Sequence, residues 1–328
     1  MFDMKRNIAI VAGGYSSEVV ISLKSAEGLF AFIGKERYNL YIVLLTHEEW
    51  VVKFSDGSKL PIDKNDFSFC KDGRKIRFDF AYITIHGTPG EDGRLQGYFD
   101  MLGLPYSSCG SLASAVTFNK YICNHYLKSF GVRIANSIRL LPGETISSEK
   151  AVNLLGLPIF VKPNDGGSSF GITKVRDASQ LQPAIEKAFA EGREVIMEQF
   201  VSGTEVTCGC YKTKAKSVVF PITEVVTSND FFDFNAKYEG EVQEITPARL
   251  SPVLTERVQN ETSRIYDLLG AKGLIRIDYI IPEDGNPVML DINTTPGMTA
   301  TSFIPQQIKA AGLDISEVMS DIIENEFD

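Results

Sequence analysis

The hydrophobic positions of the chain fall into short blocks, and the spacing inside each block predicts a strand or a helix. In the first third, strand-like runs alternate with stretches of helical period. The predicted strands are Asn7–Gly13, Tyr38–Leu45 and Phe78–Gly87, and the predicted helices are Ser22–Ile33 and Leu95–Leu102. This alternation predicts a parallel sheet with helices on its faces, in a first unit that we place at residues 1–120. The polar, glycine-containing stretch Ser55–Arg77 is expected to form an exposed hairpin or loop insertion.

Two further units follow, each with its own strands and helices. Residues 121–206 contain three predicted strands, PIFVKP, GITKV and EVIMEQF, which bracket one helix, Ala178–Glu191. Residues 207–328 contain the runs KSVVFPITEVV, GLIRIDYII and PVMLDIN, a polar aromatic loop at Asn229–Gln243, an amphipathic helix at Pro252–Leu269 and two terminal helices. The pattern therefore predicts an α/β protein in which a parallel-sheet unit precedes two α+β units.

Composition and charge narrow the classes of partner. The 328 residues include 33 basic and 42 acidic ones, a net charge of −9, and no basic run of the kind that nucleic acid or an anionic membrane attracts. No apolar run approaches the ~20 residues that span a bilayer, and the first one ends after six residues at a Gly pair, as expected for a strand and not for a secretion signal. Five scattered cysteines indicate reduced thiols, and we expect a cytoplasmic protein.

The end of the first strand offers the first candidate site. A Gly pair and two serines follow the strand and precede a helix, so the backbone N–H groups there suit an anion or a polar ligand. Glu18 lies in the first helical turn, beside the carboxyl end of the strand, where α/β proteins bind ligands. The same stretch also fits a plain βα turn with Ser16 or Ser17 as N-cap.

His86 is a second candidate at the same edge of the sheet. The strand that ends in His86-Gly87 places an imidazole there, and two more glycines mark a loop before the next helix. A structural role for this histidine remains an alternative. His47 and His125 have no such setting, so we expect them at the surface or as satisfied core residues.

The segment VKPNDGGSSFGITKV predicts a phosphate-binding flap. Lys162 ends one strand, the loop Gly166–Ser169 follows, and another strand comes next, so the loop is a hairpin and not a P-loop. Its backbone N–H groups can surround phosphates while the lysine neutralises their charge. The next strand pair carries Glu198 and Glu205, which fit either an interdomain hinge beside a nucleotide or a solvated strand pair.

The last two strands carry the strongest metal-site signal. Arg276 and Asp278 are two residues apart on one strand, and Asp291 and Asn293 are two apart on the next, so each pair faces one side. If the strands are neighbours, three oxygen-donor side chains and one arginine meet. Hard oxygen ligands suit Mg²⁺ bridged to phosphates. The alternative, surface charges on an exposed sheet, does not explain why both strands are otherwise apolar.

Taken in order, these motifs resemble the D-alanine–D-alanine ligase family of the ATP-grasp superfamily. The matching segments are GGYSSE, HGTPGEDGRLQGYFDMLGLPYSSCG, VKPNDGGSSFG, NAKY, RIDY and NTTPGMTATSFIP, which together extend over nearly the whole chain. The resemblance implies a Rossmann-like amino-terminal domain (1–120) and two subdomains (121–206 and 207–328) that clamp ATP. It also implies a cytoplasmic homodimer that makes D-alanyl-D-alanine, ADP and phosphate for peptidoglycan synthesis, through a D-alanyl phosphate.

The resemblance implies roles for the residues that would bind D-alanine and act in catalysis. Glu18 would hold the ammonium group of the first D-alanine, with His86 nearby, and Ser168 and Tyr238 would close the site in a hydrogen-bonded set with Glu18. Arg276 and the backbone N–H of Gly297 would stabilise the oxyanion. Ser302 and the backbone of Phe303 would receive the carboxylate of the second D-alanine. The presence of Tyr238 favours an amine acceptor.

The resemblance likewise implies the ATP and metal ligands. The phosphates would be bound by Lys120, Lys162, Lys237 and Ser169, the adenine by Glu198, Gln199, Phe200 and Val201, and the ribose by Glu205. Asp278, Asp291 and Asn293 would hold two Mg²⁺ or Mn²⁺ ions.

Four positions depart from the usual pattern of that family. Val19 and Val20 replace a basic residue and a glutamate, Asn119 replaces an aspartate, and Asp291 replaces a glutamate. An aspartate at position 291 is one methylene shorter, so either its strand lies closer to the metal ions or one ion is held less tightly. Two other functions stay open: a D-amino acid ligase with a different acceptor, and a nucleotide-binding family member with reduced turnover.

Overall fold

The computed structural model describes residues 5–16, 18–166, 171–227 and 242–327, and its first sheet has seven strands. These are β1 (Arg6–Gly13), β2 (Tyr38–Leu45), β3 (Trp50–Lys53), β4 (Lys59–Asp63), β5 (Ser68–Lys71), β6 (Arg74–Arg77) and β7 (Phe80–Ile83). The order is β6-β5-β4-β3-β2-β1-β7. β1 pairs in parallel with both β2 and β7, as predicted, and β3 to β6 extend the sheet as an antiparallel ribbon. The hairpin expected at Ser55–Arg77 forms, but it continues the sheet and is not fully exposed, because Ile62, Phe67 and Phe69 are buried.

Four helices accompany this sheet and the crossing to the second one. They are α1 (Val19–Phe32), α2 (Arg94–Leu102), α3 (Ser111–Phe118) and α4 (Lys120–Ser129). The two predicted helices are present, although α1 begins three residues earlier than expected. The strand predicted at Phe78–Gly87 was too long, because pairing with β1 stops at Ile83 and the chain then turns towards the site. β1 is buried along nearly its whole length, as expected for a central parallel strand.

The second sheet is small and antiparallel. It contains β8 (Ser137–Leu140), β9 (Ile159–Pro163), β10 (Thr173–Val175) and β11 (Val195–Gln199) in the order β10-β9-β11-β8, with helices α5 (Ser148–Leu155) and α6 (Leu181–Glu191). The three predicted strands and the predicted helix are confirmed, apart from a 3₁₀ turn over the first three helix residues. The expectation of one helix was wrong, because α4, α5 and the edge strand β8 also form here.

The third sheet completes the chain. Its strands are β12 (Thr204–Lys212), β13 (Ser217–Val219), β14 (Thr223–Thr227), β15 (Val242–Ile245), β16 (Ile275–Ile281) and β17 (Val288–Asn293). The helices are α7 (Pro252–Leu268), α8 (Phe303–Ala310) and α9 (Ile315–Glu324). Ser251 caps α7 by accepting a hydrogen bond from Leu254 N, and Pro252 occupies the first helical position, where a missing N–H costs nothing.

The carboxyl-terminal helices pack back onto the first sheet. Ile304 and Ile308 of α8 and Met319 of α9 share one hydrophobic core with β1 and α1. Tyr38 of β2 donates a 2.7 Å hydrogen bond to Glu324 of α9, which fixes the same contact with polar groups. The first and third sheets are therefore held together, and the residues at their edges keep a defined relation. Within the described ranges, none of the helices combines the length and hydropathy that a bilayer crossing requires.

Candidate active site

Strands β16 and β17 are neighbours, which confirms the condition for the predicted metal-site patch. They pair antiparallel, with Arg276 opposite Asn293 and Asp278 opposite Asp291. Burial alternates along β16, so its odd-numbered residues face the core and Arg276 and Asp278 face the opposite side. The register shifts directly after Asp278, an irregularity that often accompanies functional sites. Four polar side chains thus converge on one face of the third sheet.

Arg276 is held rigidly at the centre of this face. Its Nε and Nη2 atoms each donate a 2.9 Å hydrogen bond to Asp278, in the bidentate geometry that suits guanidinium and carboxylate groups. Its guanidinium carbon lies 5.1 Å from the ring centre of Phe303. Burial alone would lower the pKa of Arg276, but attraction to Asp278 and Asp291 outweighs it and raises the pKa, so the group stays charged.

Lys120 joins the third sheet to the second. Its Nζ lies 3.3 Å from Asp291 Oδ2 and donates a 2.9 Å hydrogen bond to the carbonyl of Gly166, where the predicted flap begins. Asn119 caps α4 by accepting from Ile122 N, and the Lys120 N–H bonds to the Asn164 carbonyl at the end of β9. The lysine is thus oriented by Asp291 and Gly166, and Asn119 serves as a helix cap.

Lys162 and Glu198 form the other charged pair of the cleft. They lie on adjacent antiparallel strands, β9 and β11, with Lys162 Nζ 2.7 Å from Glu198 Oε2. Asn124 of α4 donates a 3.0 Å hydrogen bond to the other carboxylate oxygen. Glu198 is only 8% exposed, so this ion pair is largely shielded from water. The predicted phosphate-binding lysine therefore lies in a low-dielectric environment, where its attraction to a negative charge is stronger than in water.

The segment predicted to line an adenine follows Glu198 directly. Phe200 lies 6.1 Å from Phe160, ring centre to ring centre, and Lys174 Nζ lies 4.2 Å from the Phe200 ring. Gln199 is exposed and accepts from the Asn136 side chain, and Val201 is half-buried. These residues form an aromatic wall beside the Lys162 pair.

Glu205 begins the third sheet and lies close to its charged face. Burial, together with the negative charge of Asp278, raises the pKa of Glu205 to about 7, against the opposing influence of Arg276. Part of the population is therefore protonated near neutral pH, and a protonated carboxyl can donate as well as accept a hydrogen bond.

Glu18 and His86 come together at the edge of the first sheet. Both are buried, at 9% and 6% exposure. Ser16 joins their backbones, because its hydroxyl donates a 3.0 Å hydrogen bond to the His86 carbonyl and accepts one from the Glu18 N–H. The residue at the N-cap position is Glu18, and its side chain makes no capping hydrogen bond. Ser16 is thus not the helix cap, since its hydroxyl is used across the two loops.

The loop after β17 brings Gly297 and Ser302 to the same place. A Cβ built on Gly297 would lie 3.0 Å from Ser302 Oγ, so the two residues are in contact. Ser302 is the N-cap of α8, and its Oγ bonds to the N–H and hydroxyl of Thr299 and not to its own helix. The Ser302 side chain therefore leaves the N–H groups of Phe303 and Ile304 to an anion, while Pro305, the third residue of the helix, has no N–H.

Gly28 lets helix α1 approach this loop. A Cβ at Gly28 would lie 2.0 Å from the Met298 carbonyl oxygen, a distance that no side chain can occupy. Ser25, one turn earlier, accepts a 3.2 Å hydrogen bond from the Met298 N–H. The helix that begins at Glu18 is thereby anchored against the loop that carries Gly297.

Glu91 is a site residue that was not predicted from the sequence. Its carboxylate accepts a 2.6 Å hydrogen bond from the Gly87 N–H and a 2.8 Å one from the Thr295 hydroxyl, and so ties the His86 turn to the loop after β17. The available signal was an acidic residue between Gly90 and Gly93, in a loop already assigned to the site.

His47 and His125 lie at the surface, as expected. The His47 ring stacks on Tyr15 of the Gly-pair loop, with ring centres 3.9 Å apart. His125 similarly lies against Tyr121, with ring centres 4.0 Å apart. Four predicted site residues lie outside the described part of the chain: Ser168, Ser169, Lys237 and Tyr238.

The fold and the cleft define a class of proteins. A Rossmann-like sheet precedes two smaller sheets, and paired lysines and carboxylates lie between them, an arrangement that defines the ATP-grasp class. Two family models match the chain: D-ala D-ala ligase N-terminus over residues 7–109 and D-ala D-ala ligase C-terminus over residues 126–324. The chain belongs to the D-alanine–D-alanine ligase family.

Individual relatives agree with this assignment. The chain is 72% identical over 323 residues to the D-alanine–D-alanine ligase of Parabacteroides distasonis, covering 98% of both chains. Among solved structures it resembles the VanG D-Ala:D-Ser ligase of Enterococcus faecalis, with a TM-score of 0.87, 30% identity and coverage of 98% and 100%. It also resembles a D-alanine–D-alanine ligase from Bacillus anthracis complexed with ATP, with a TM-score of 0.78, 28% identity and coverage of 98% and 97%.

Proposed function

We propose that the protein is a D-alanine–D-alanine ligase that supplies D-alanyl-D-alanine for peptidoglycan precursors. The observation that carries this proposal is the convergence of Lys120, Arg276 and the Asp278–Asp291 pair on one face of the third sheet. Positive and metal-binding groups at one place suit the transfer of a phosphoryl group. The name and the 72% identity of the relative from Parabacteroides distasonis support the choice of substrate.

The chemistry proceeds in two steps. The carboxylate of the first D-alanine attacks the γ-phosphorus of ATP, which gives D-alanyl phosphate and ADP. The amine of the second D-alanine then attacks the acyl carbon, loses a proton, and the tetrahedral intermediate expels phosphate. Catalysis consists mainly of positioning and of stabilising negative charge.

Specific residues serve the binding of the substrates and the stabilisation of negative charge. Lys120 and Lys162 neutralise the phosphates, and the Glu198–Val201 segment with Glu205 receives the nucleoside. Glu18, beside His86, holds the ammonium of the first D-alanine. Arg276 and the Gly297 N–H stabilise the oxyanion, because Arg276 is locked in place by two hydrogen bonds and needs no reorientation. Ser302 and the Phe303 N–H, at the start of α8, bind the carboxylate of the second D-alanine.

The charged face also fits divalent metal ions. Asp278, Asp291 and Asn293 offer only hard oxygen donors on adjacent strands, the donor chemistry that Mg²⁺ and Mn²⁺ accept. When bound, the ions would neutralise the charge that collects on the transferred phosphoryl group. Lys120 balances the negative charge of Asp291, and Arg276 balances that of Asp278.

Product analysis with purified protein tests the proposal. The protein is incubated with ATP, Mg²⁺ and D-alanine, and released phosphate and D-alanyl-D-alanine are measured together; we expect equal amounts. Phosphate without the dipeptide would overturn the proposal. A mixed dipeptide as the main product from D-alanine plus D-serine would indicate the other acceptor class, to which a similar solved structure belongs. Tight ATP binding without turnover would indicate a family member that has lost catalysis.

Glu18→Gln tests the assignment of the first substrate site. The variant removes the charge that faces the D-alanine ammonium, so we expect the KM for the first D-alanine to rise about 10- to 100-fold, as for loss of a charged hydrogen bond, with the KM for ATP unchanged. Glu27→Gln, on the exposed side of the same helix, is the matched control and should leave both constants unchanged. An unaltered D-alanine KM in Glu18→Gln would refute the role.

We also propose a cytoplasmic homodimer. Cytoplasmic location agrees with the five free cysteines and with the need for ATP. A dimer is supported by Met101 and Leu112, which are 82% and 79% exposed on α2 and α3, beside the hydrogen-bonded pair Asp100 and Ser111. We expect a dimer in sedimentation velocity and weaker association after Leu112→Lys. A monomer at micromolar concentration would contradict the proposal.

We further propose that residues 1–120, 121–206 and 207–328 act as three units, with the middle one closing over ATP. Support comes from the strands, since each range contains the strands of one sheet, apart from the first three residues of β12. Limited proteolysis should cut between these units more slowly when ATP and Mg²⁺ are added. Cleavage that ATP does not affect would contradict this division.

A further inference from the structure

Glu91 links the loop after β7 to the loop after β17. Its Oε2 accepts from the Gly87 N–H and its Oε1 accepts from the Thr295 hydroxyl, at 2.6 Å and 2.8 Å. Thr295 is itself only 4% exposed, and its hydroxyl lies 3.2 Å from the Ile85 carbonyl. The carboxylate therefore joins the end of the first sheet to the loop that follows β17, which is about 200 residues away in the chain.

The turn at Gly87 links the Glu91 junction to Ser16 and, through it, to Glu18. Gly87 has a φ of +73°, and a Cβ there would lie 3.1 Å from Ser16 Oγ, so the turn is packed directly against Ser16. The Ser16 hydroxyl in turn donates to the His86 carbonyl and accepts from the Glu18 N–H. A continuous set of hydrogen bonds and contacts thus runs from Thr295 through Glu91 and the Gly87 turn to Glu18.

We propose that Glu91 is a positioning residue that sets the place of Glu18 relative to the Gly297–Ser302 loop. Since Glu18 would hold the ammonium of the first D-alanine and Gly297 would bind the oxyanion, their separation decides whether the substrate carboxylate meets the reaction centre. The inference rests on the proposed function. It adds a residue that touches neither ATP nor D-alanine but aligns the two halves of the D-alanine site.

The chemistry of the junction explains why a carboxyl group is suited to it. The Gly87 N–H and the Thr295 hydroxyl both donate to the buried oxygens of Glu91. A buried N–H without an acceptor lowers the stability of the fold, so the Gly87 N–H needs an acceptor here. Burial, together with the charge of Glu18, raises the pKa of Glu91 to about 7, so the neutral carboxyl is also populated. A neutral group still accepts from Gly87, and it can donate to Thr295 while the Thr295 hydroxyl donates to Ile85.

Substitution of Glu91 by glutamine or by alanine therefore distinguishes the role of its hydrogen bonds from the role of its charge. Glutamine can accept from the Gly87 N–H through its carbonyl oxygen and donate to Thr295 through its amide, which preserves both links. Alanine removes both. We expect Glu91→Ala to raise the KM for the first D-alanine about 10- to 100-fold, with the KM for ATP changed less than about threefold, and Glu91→Gln to retain near wild-type constants.

A control variant and a second substitution at the same contact keep the test valid if Glu91→Ala does not fold. Glu144→Gln removes the charge of another glutamate that accepts from a backbone N–H, that of Leu141, at an exposed position of the second unit, and should leave all constants unchanged. Thermal unfolding is recorded for every variant. If Glu91→Ala does not fold, Thr295→Val breaks the same link from the other side. The double variant Glu91→Gln/Thr295→Val should then be no worse than Thr295→Val alone.

The outcomes distinguish this inference from the proposed function. Wild-type protein that makes no D-alanyl-D-alanine contradicts the function, whatever position 91 does. With an active wild type, an unchanged D-alanine KM in folded Glu91→Ala overturns the positioning role. Equal losses in D-alanine and ATP binding also overturn it, because they indicate a general structural defect. A selective rise that glutamine rescues supports it.

Discussion

Arg276→Lys is expected to lower kcat by about 10²- to 10³-fold, the size of effect that follows removal of one donor to a developing oxyanion. Lysine keeps the positive charge but cannot donate two parallel hydrogen bonds to Asp278, so its ammonium would not be fixed where the oxyanion forms. The charge that draws in the phosphates remains, and the KM for ATP should change little. Steady-state kinetics with saturating D-alanine measure both constants.

A second arginine provides the control for this substitution. Arg37 also pairs with one carboxylate through two nitrogens, at 2.8 Å and 3.4 Å from Glu317, but the pair is exposed on the surface. Arg37→Lys should leave kcat unchanged, since exposed ion pairs contribute little. A kcat for Arg276→Lys within about threefold of wild type would remove Arg276 from the oxyanion site, because one lost donor costs at least 10²-fold.

Lys162→Met is expected to raise the dissociation constant of ATP about 10- to 100-fold, since one hydrogen bond to a charged group is lost. The substitution has a second effect, because Glu198 would then be a buried carboxylate that keeps the Asn124 hydrogen bond but has lost its ion-pair partner. Removing one partner of a buried pair costs about 3 kcal/mol of unfolding free energy. Calorimetry measures the affinity, and denaturant unfolding measures the stability.

The double variant Lys162→Met/Glu198→Gln separates the two effects when it is compared with Glu198→Gln alone, because Glu198 is itself assigned to the adenine site. Without the carboxylate charge, much of the stability should return while ATP still binds weakly. Lys216→Met is the control for charge, because Lys216 pairs with Asp321 away from the cleft at 2.7 Å and should not alter ATP affinity. If ATP affinity returned together with stability in the double variant, Lys162 would be a structural residue and not an ATP ligand.

Much of the fold could be predicted from local pattern. The parallel core of the first sheet follows from strand order, and the shared faces of Arg276 with Asp278 and of Asp291 with Asn293 follow from period-two alternation. The hairpin region at Ser55–Arg77 was indicated by its polar, glycine-containing composition. The elements that were missed include β8, α5 and α4, which are four, eight and ten residues long. Short, half-buried segments like these carry too few positions for a period to stand out.

The candidate site also contains residues that could be predicted from the sequence and contacts that could not. The sequence by itself indicated that Glu18, Lys162 and the β16–β17 patch lie close to strand ends, because strand ends are readable from hydrophobic runs, whereas His86 lies three residues beyond the end of β7. Only the tertiary structure decided that Lys120 contacts Asp291 and that Glu91 contacts Thr295. These partners lie about 170 and 200 residues apart. The first contact depends on how α3 and α4 pack on the third sheet, and the second on how α8 and α9 pack the first sheet against the third, which no local period encodes.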